Sequence, residues 1–226
     1  ESPSPEALLH FGQVVDGGGD VNGDGFDDMV ITHSGWFMDT GKIYLYHGGD
    51  PLDLDPDVGI AAWGSTWMTT LWATDLRGRI VGDVNGDAFD ELVCLVYPWS
   101  RDGGAHVYFG GSPMDSIHDV SLQGVSYDTL ELGSDIARGD VNGDGYGDLV
   151  VGVAGNFNWP AWREAAWVFD GGPDMDDEVD VRLAPLAVVA DHEVCVPGDL
   201  NGDGYDDIVA SLGWPWPVCK EAEGSR

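Results

Sequence analysis

The sequence predicts an all-β fold, a β-propeller built from about four blade units of four short strands each. Three observations lead to this prediction. An Asp-rich motif returns four times along the 226 residues, a short apolar run follows every copy, and a Gly-Gly pair closes three of the four units. No stretch has convincing helical periodicity.

The Asp-rich motif sets the length of the repeat. Its four copies occupy residues 19–28, 82–91, 139–148 and 198–207, and their first aspartates are Asp20, Asp83, Asp140 and Asp199. The spacings between these aspartates are 63, 57 and 59 residues. Self-similarity at a period of this size is typical of repeat architectures that stack one structural unit on the next.

Each repeat contains recognisable strand sequences on both sides of the motif. Short runs rich in β-branched residues follow the loop, as expected for buried strands. They are residues 29–31, 92–94, 149–151 and 208–210. A third strand is expected at residues 43–46, 106–109 and 166–169, each followed by a Gly pair. The strand before the loop is predicted at residues 11–15 and 132–136, and a weaker fourth strand ends each repeat.

The chain is expected to form one domain over residues 1–226. Its blade units, called repeats one to four below, are predicted at residues 8–70, 71–127, 128–187 and 188–226. Repeat four is short, since only nine residues follow Pro217. Three arrangements would complete it: a strand from residues 5–10, a second copy of the chain in a homodimer, or membership of a larger ring.

The spacing of oxygen-bearing side chains in each loop predicts a calcium site. Ca²⁺ takes six to eight oxygens at about 2.3–2.6 Å, so a loop with oxygens at alternate positions can wrap one ion. Positions 1, 3, 5 and 9 supply side chains and position 7 its backbone carbonyl. The predicted ligands, about four ions per chain, are Asp20, Asn22, Asp24, Phe26 and Asp28; Asp83, Asn85, Asp87, Phe89 and Glu91; Asp140, Asn142, Asp144, Tyr146 and Asp148; Asp199, Asn201, Asp203, Tyr205 and Asp207.

Other positions of the loop refine this prediction. An EF-hand needs a Glu at position 12, which is apolar in all four copies, so that alternative is rejected. Position 8 is Asp, Asp, Gly and Asp, and is therefore expected to face solvent rather than bind metal. Loop two has Ala88 where the other loops have Gly, and Glu91 where they have Asp, so we expect it to be the weakest site.

With these motifs in view, the chain resembles FG-GAP repeats, the repeats of integrin α-subunit propellers and many secreted bacterial proteins. The matching elements are Phe11-Gly12, the four Asp loops and the aromatic third strands, from about Leu8 to Pro217. The resemblance implies that calcium loops join the first and second strands on one rim. It also implies that ligands are engaged on the opposite rim, by the loops after the second strand.

Those ligand-side loops are rich in tryptophan. Exposed Trp stacks on sugar rings or fills pockets of a protein partner, although the same rings can pack between blades. The candidate ligand-binding residues are Trp36, Trp99, Trp159, Trp162, Trp214 and Trp216. A second possibility is therefore that these side chains only cover strand ends.

Charge and composition narrow the function. A net charge of −32 argues against nucleic acid, because phosphates need basic partners. No apolar run approaches the roughly 20 residues of a membrane span, and we expect any targeting segment to have been removed before Glu1. The six histidines do not cluster and no nucleophile elbow occurs, which favours a non-enzymatic role.

Two functions follow as hypotheses. The first is a secreted or cell-surface, calcium-stabilised binding module for glycan or protein ligands. The alternative is a propeller enzyme, or part of one, acting on polysaccharide or lipid. Among the three cysteines, Cys94 is expected in the core, and Cys195 and Cys219 could form a disulfide.

Overall fold

The computed structural model describes residues 11–33, 41–61, 75–97, 104–123, 130–155, 166–183 and 193–210. Within these ranges every regular element is a β-strand. The strands are β1 (Phe11–Gly19), β2 (Asp28–His33), β3 (Lys42–Tyr46), β4 (Val58–Ala61), β5 (Asp75–Gly82), β6 (Glu91–Tyr97), β7 (Gly104–Tyr108), β8 (Val120–Gln123), β9 (Leu130–Gly139), β10 (Asp148–Gly155), β11 (Ala166–Phe169), β12 (Val181–Leu183), β13 (Val194–Cys195) and β14 (Val209–Ala210).

The strands form repeated antiparallel sheets, which confirms the predicted fold class. Strands β1–β4, β5–β8 and β9–β12 each make a four-stranded sheet in sequential order, and β13 pairs with β14. Sequential meanders of four strands are the sheets of which propeller blades consist. The described part of repeat four contributes only its first two strands.

The Asp loops connect the first two strands of each sheet, as the sequence predicts. The first strands run to Gly19, Gly82 and Gly139, further than the expected 11–15 and 132–136, because their last residues still pair with the start of the second strand. The second strands β2, β6 and β10 begin at the ninth loop position itself. That position is therefore both the end of the loop and a buried strand residue.

The described strands group into two compact units. The first contains β1–β7 and the second β9–β14, together with residues Asp83–Asp87 of loop two. In the first unit, Val30, Ile43 and Leu45 of one sheet pack with Leu76 and Leu92 of the next in one apolar core.

The second unit has a smaller core of the same kind. Val150, Ala166 and Val168 of the β9–β12 sheet pack with Val194 and Ile208 from the β13–β14 region. The fully buried Trp167 on β11 contacts the Arg182 guanidinium, whose Cζ lies 5.0 Å from the ring centroid. Burial of aliphatic side chains between sheets provides the main stabilisation of such repeats.

Several predicted features lie outside the described residues. They are the closing strand at residues 5–10, the end of repeat four beyond Ala210, and Cys219. Cys94 is a free, buried thiol, as expected for a core residue, and burial raises its pKa. Cys195 is a free, exposed thiol. Among the described residues, no helix has the length and apolar character to cross a membrane.

Two neighbouring histidine rings in the first unit, tilted by 45° to each other, are expected to make its stability depend on pH. The rings of His106 and His118 are 4.5 Å apart, and Tyr108 meets His118 edge-on. Burial, and then the neighbouring His118, lower the pKa of His106. The neutral ring is therefore the one that folding favours, so this contribution to stability is present above the ordinary histidine pKa and lost as pH falls below it.

We expect His106→Gln to flatten the loss of stability on acidification. Urea unfolding between pH 7.5 and 5.5, in wild type and variant, would measure this. The steeper decline should belong to the wild type, since glutamine does not titrate. Parallel pH profiles for the two proteins would show that the pair has no such role.

Candidate metal centre: the four Asp loops

The first residue of each loop organises the backbone that follows it. In loop one, Oδ1 of Asp20 accepts hydrogen bonds from the N–H groups of Gly23 (2.7 Å) and Asp24 (3.0 Å). Oδ2 accepts one from Gly25 at 2.8 Å. Loops three and four repeat all three bonds through Asp140 and Asp199. In loop four, the Gly204 N–H is the main cause of a lowered pKa of Asp199.

The third and fifth positions continue the same pattern. Asn22 Oδ1 accepts the Asp24 N–H at 2.9 Å, and Asp24 Oδ1 accepts the Phe26 N–H at 2.9 Å. The Phe26 N–H and then the Asn22 amide lower the pKa of Asp24, so its exposed carboxylate stays ionised. The loop is a short spiral of side-chain oxygens, each held by backbone donors two to five residues further along.

The ninth position differs, because its carboxylate is buried in every loop: Asp28, Glu91, Asp148 and Asp207. In loop one, Asp28 Oδ2 accepts the Val21 N–H and Oδ1 the Gly48 N–H, both at 2.8 Å. In loop three, Asp148 makes the corresponding bonds to Val141 and Gly171, both at 2.9 Å. Each of these two carboxylates therefore ties its loop to the chain that leaves the third strand.

Burial makes the ionised form of the ninth carboxylate costly. It is the largest influence on the pKa of Asp28 and of Asp148 and raises both values, whereas the hydrogen bonds to these carboxylates lower them. An ionised carboxylate out of water is costly unless a cation or several donors accompany it. A metal ion in the loop would supply that missing positive charge.

The Gly pairs after the third strands are explained by the same contact. A side chain at Gly48 would collide with the backbone carbonyl of Asp27, and one at Gly171 with that of Gly147. Only glycine lets the chain come close enough to donate its N–H to the ninth carboxylate. The pairs that the sequence marks as turns are thus part of the loop structure.

Loop two brings its carboxylates closest together. One oxygen each of Asp83, Asp87 and Glu91 lies within 4.8 Å of the others, the one such three-residue group among the described residues. Two ligands on opposite sides of a calcium ion are separated by about twice the 2.3–2.6 Å bond, so this spacing fits one ion. The extra methylene of Glu91, expected to be a handicap, carries its carboxylate towards the loop.

Loop two also contains backbone strain at the position that distinguishes it. Ala88 has φ +75°, where Gly25, Gly145 and Gly204 have φ between +90° and +96°. The left-handed conformation costs a non-glycine residue roughly 1–2 kcal/mol, of which the greater unfolded-state freedom of glycine offsets about 0.5–1 kcal/mol.

We therefore expect Ala88→Gly to raise the free energy of unfolding by about 0.5–1 kcal/mol. The matched control is Gly145→Ala in loop three, where a new Cβ would meet no atom within 4 Å. It should lower stability by a similar amount through the backbone alone. Urea unfolding of both variants measures the effects, and equal stabilities of Ala88→Gly and wild type would exclude the strain.

The side chains at position 7 cover the preceding loop. A Cβ on Gly23 would collide with the Phe89 ring, and one on Gly143 with the Tyr205 ring. Gly86 and Tyr146 are related in the same way. The sequence pattern gives these aromatic residues a role only through their backbone carbonyls, and the structure adds a second role for their rings.

The expectation for position 8 is correct for the exposed Asp27 and wrong for Asp90 and Asp206. Asp90 Oδ2 accepts the Asp20 N–H at 2.7 Å, and the Asp90 N–H donates to the Asp20 carbonyl at 3.1 Å. Asp206 makes the same two bonds with Asp140, at 3.0 and 2.9 Å. These residues join the first position of one loop to the next repeat.

The exception at position 8 is compensated by a basic residue. Where repeat three has Gly147, the Arg138 guanidinium fills the space that a side chain would need. Arg138 Nη2 donates to the carbonyl of Asp83 at 3.0 Å. The coincidence of a missing Asp and an added Arg in the same repeat was the signal in the sequence that could have revealed this contact.

The residue that directly follows the third strand lies beside the Asp loop and differs between the repeats. It is His47 in repeat one, where its positive charge when protonated favours ionised Asp24, and Asp170 in repeat three. Burial and then Asp180 raise the pKa of Asp170, which also interacts with Asn142 and Asp144. Loop three therefore has an additional carboxylate that the nine-residue motif does not include.

The six candidate ligand-binding tryptophans lie outside the described residues, as do the connections that contain them. The strand directions show only where those connections start. β2, β6 and β10 lead away from the Asp loops and end at His33, Tyr97 and Gly155. The ligand-side tryptophans thus remain a prediction.

Comparison with known proteins identifies relatives of these loops. The FG-GAP repeat family model matches residues 132–169. Integrin alpha-5 of Xenopus laevis is 26% identical over 191 residues, which cover 78% of this chain and 17% of that protein. Integrin alpha pat-2 of Caenorhabditis elegans is 31% identical over 147 residues, with 57% of this chain and 12% of that protein covered. Integrin alpha-PS2 of Drosophila melanogaster is 24% identical over 247 residues, with 92% of this chain and 15% of that protein covered. The chain spans less than a fifth of the length of these relatives.

Proposed function

We propose that this integrin α-like FG-GAP repeat chain is a calcium-stabilised extracellular binding module of the adhesion or recognition type, for a glycan or protein ligand. The observation that carries the proposal is the fourfold repetition of one oxygen-lined loop whose ninth carboxylate is buried. Without a cation, the acidic side chains within each of the four loops would repel one another.

The ligand chemistry favours calcium over other metals. Positions 1, 3, 5 and 9 are Asp, Asn, Asp and an acid, and no loop contains His or Cys, the ligands that zinc and copper prefer. Magnesium demands a tight octahedron and keeps several waters. A flexible nine-residue spiral of oxygens suits the larger calcium ion, and we assign one ion to each loop, with the ligands named for positions 1, 3, 5, 7 and 9.

The ions are proposed to stabilise the scaffold rather than to contact the ligand. The carboxylates of Asp28 and Asp148 bond to the chain after the third strand, and Asp20 and Asp140 bond to the next repeat. An ion that orders such a loop also orders the strands around it. Ligand recognition is then assigned to the Trp-bearing connections at the other ends of the second strands.

A secreted or cell-surface location fits such sites. Loops that are open to solvent on one side are expected to bind calcium weakly, in the range of extracellular modules, about 10⁻⁴–10⁻³ M. Millimolar calcium outside cells would fill them, whereas cytosolic calcium would leave them empty. The net charge of −32 also makes an anionic partner unfavourable, so we expect neutral glycans or basic protein surfaces as ligands.

A glycan array, followed by a panel of cell-surface proteins, tests the binding function. The chain should bind a defined ligand in about 2 mM Ca²⁺, a concentration above the expected calcium Kd range. It should lose most of that binding in chelator. Trp99→Ala and Trp159→Ala should weaken binding about tenfold or more, as loss of a stacking residue does. Leu54→Ala, at an exposed turn after β3, is the control. Cleavage of a bound polysaccharide or lipid would instead support the enzymatic alternative.

A further inference from the structure

Two histidine side chains of repeat two lie against each other within the first unit. The six histidines are spread along the sequence, yet the ring centroids of His106 and His118 are 4.5 Å apart. Both residues are partly buried, so solvent still reaches part of each side chain. We call these two residues the histidine pair. The Asp loops use neither of them, and nothing in the proposed calcium function explains why they are together.

The histidine pair replaces apolar and aromatic residues of the neighbouring repeats. The two positions can be matched between repeats by counting from the Gly pair and from the aspartate that follows His118. Repeats one and three have aromatic and aliphatic side chains there, which are Tyr44 and Pro56 in one repeat and Trp167 and Val179 in the other. Both positions are histidine in the same repeat, which an apolar contact does not require.

The backbone on both sides of the histidine pair is fixed by hydrogen bonds. His106 lies within β7, which pairs with β6 along its whole length. Next to His118, the Asp119 N–H donates to the Val107 carbonyl at 2.9 Å, and Asp119 Oδ2 accepts the Phe109 N–H at 2.7 Å. Ligands on such a rigid frame are already close to the arrangement in which they bind.

Each ring of the histidine pair has a nitrogen that water does not reach. Nδ1 of both rings is buried, and Nδ1 of His106 makes no hydrogen bond within the part of the chain that the structure describes. A buried polar atom without a partner is costly, because it has given up water and gained nothing. Neutral imidazole nitrogen is the commonest protein ligand for metals, so a metal ion would supply the missing partner.

We propose that the histidine pair binds one divalent transition-metal ion, through Nδ1 of His106 and an imidazole nitrogen of His118. Because each metal–nitrogen bond is about 2.0–2.1 Å, two nitrogens on one ion lie at most about 4 Å apart. Rings with centroids 4.5 Å apart meet this limit when they turn about their side-chain bonds. Water completes the coordination of the ion.

The ligand chemistry separates this site from the Asp loops. Imidazole suits Cu²⁺, Ni²⁺ and Zn²⁺, whereas Ca²⁺ takes oxygen ligands. Among these ions Cu²⁺ binds a given nitrogen site most tightly. The net charge of −32 attracts cations of every kind to the chain, and the side chains then decide which ion is held where. The inference therefore stands independently of the calcium function.

Titration of the full chain with Cu²⁺ tests the proposal, in about 2 mM Ca²⁺ so that the Asp loops are filled. Calorimetry gives the dissociation constant, and electron paramagnetic resonance detects nitrogen ligands by the splitting of the copper signal. We expect one Cu²⁺ at the tightest site, coupled to imidazole nitrogen. His106→Gln and His118→Gln should each raise its dissociation constant about tenfold or more, since loss of even an outer-shell partner costs that much.

The matched control is His47→Gln, which removes another partly buried histidine of the first unit, beside Asp57. It should leave the Cu²⁺ dissociation constant unchanged. His118→Cys separates a lost ligand from a misfolded chain, because its thiolate should bind Zn²⁺ more tightly than His118→Gln does. Equal Cu²⁺ binding by wild type and both glutamine variants, or equal Zn²⁺ binding by His118→Cys and His118→Gln, would overturn the proposal. The number of bound calcium ions, measured separately, tests the calcium function alone.

Discussion

Removing calcium with a chelator is expected to lower the free energy of unfolding by several kcal/mol and the melting temperature with it. Each ion that binds only the folded chain contributes RT ln(1 + [Ca²⁺]/Kd), which is about 0.6–1.8 kcal/mol at about 2 mM Ca²⁺ for a Kd of about 10⁻⁴–10⁻³ M. Four such sites add their contributions. Without the ions, the buried acids at position 9, Asp28, Glu91, Asp148 and Asp207, lack a compensating charge.

Thermal unfolding followed by circular dichroism, in calcium and in excess chelator, measures this loss. The control is an equal concentration of Mg²⁺, which should restore much less stability because it dehydrates reluctantly and demands octahedral geometry. Sodium chloride at matched ionic strength controls for screening of the −32 charge. An unchanged melting temperature in chelator would contradict a stabilising role for the ions.

Asp148→Ala is expected to destabilise the chain even when no calcium is present. The variant removes the acceptor of the Gly171 and Asn142 N–H groups, whereas the Val141 N–H keeps the Gly139 carbonyl at 3.1 Å. A donor that loses its partner away from water costs about 1–3 kcal/mol, so we expect a loss of about 2–6 kcal/mol in chelator. In calcium the loss should be larger, because loop three also forfeits its ion.

The exposed fifth position provides the matched control. Asp144→Ala removes an acid of the same loop that accepts the Tyr146 N–H at the surface. In chelator it should cost less than about 1 kcal/mol, the net value of an ordinary hydrogen bond. In calcium, the stability lost by Asp144→Ala should approach the extra loss that calcium adds for Asp148→Ala. Urea unfolding of both variants in both buffers gives the four values, and equal losses in chelator would show that the buried carboxylate has no special structural role.

The sequence was sufficient for the strands and the loop frame because both are local patterns. A β-branched run bounded by glycines becomes a strand wherever it packs, and β2, β3, β10 and β11 lie where the runs predict. The ninth position, which is acidic in every copy, is also buried in every copy. Its burial follows from its place at the first residue of a buried strand.

The contacts between repeats could not be predicted, because they depend on which residues face each other across about 60 positions. Asp90 and Asp206 look like surplus acids in a single motif, yet they are hydrogen-bonded to the previous repeat. Arg138 has no partner in its own loop. The aromatic rings at position 7 likewise become informative only when the neighbouring glycine is known. One motif describes a loop, whereas these contacts belong to a pair of repeats.

The most direct test of the central claim, that each Asp loop holds one calcium ion, is a count of bound ions. Equilibrium dialysis of the full chain against buffered Ca²⁺, followed by elemental analysis, gives the number per chain at saturation. We predict four ions, three for Asp148→Ala, and four again for Asp27→Ala, whose position 8 is not a ligand. A wild-type count near zero at millimolar Ca²⁺ would contradict the claim.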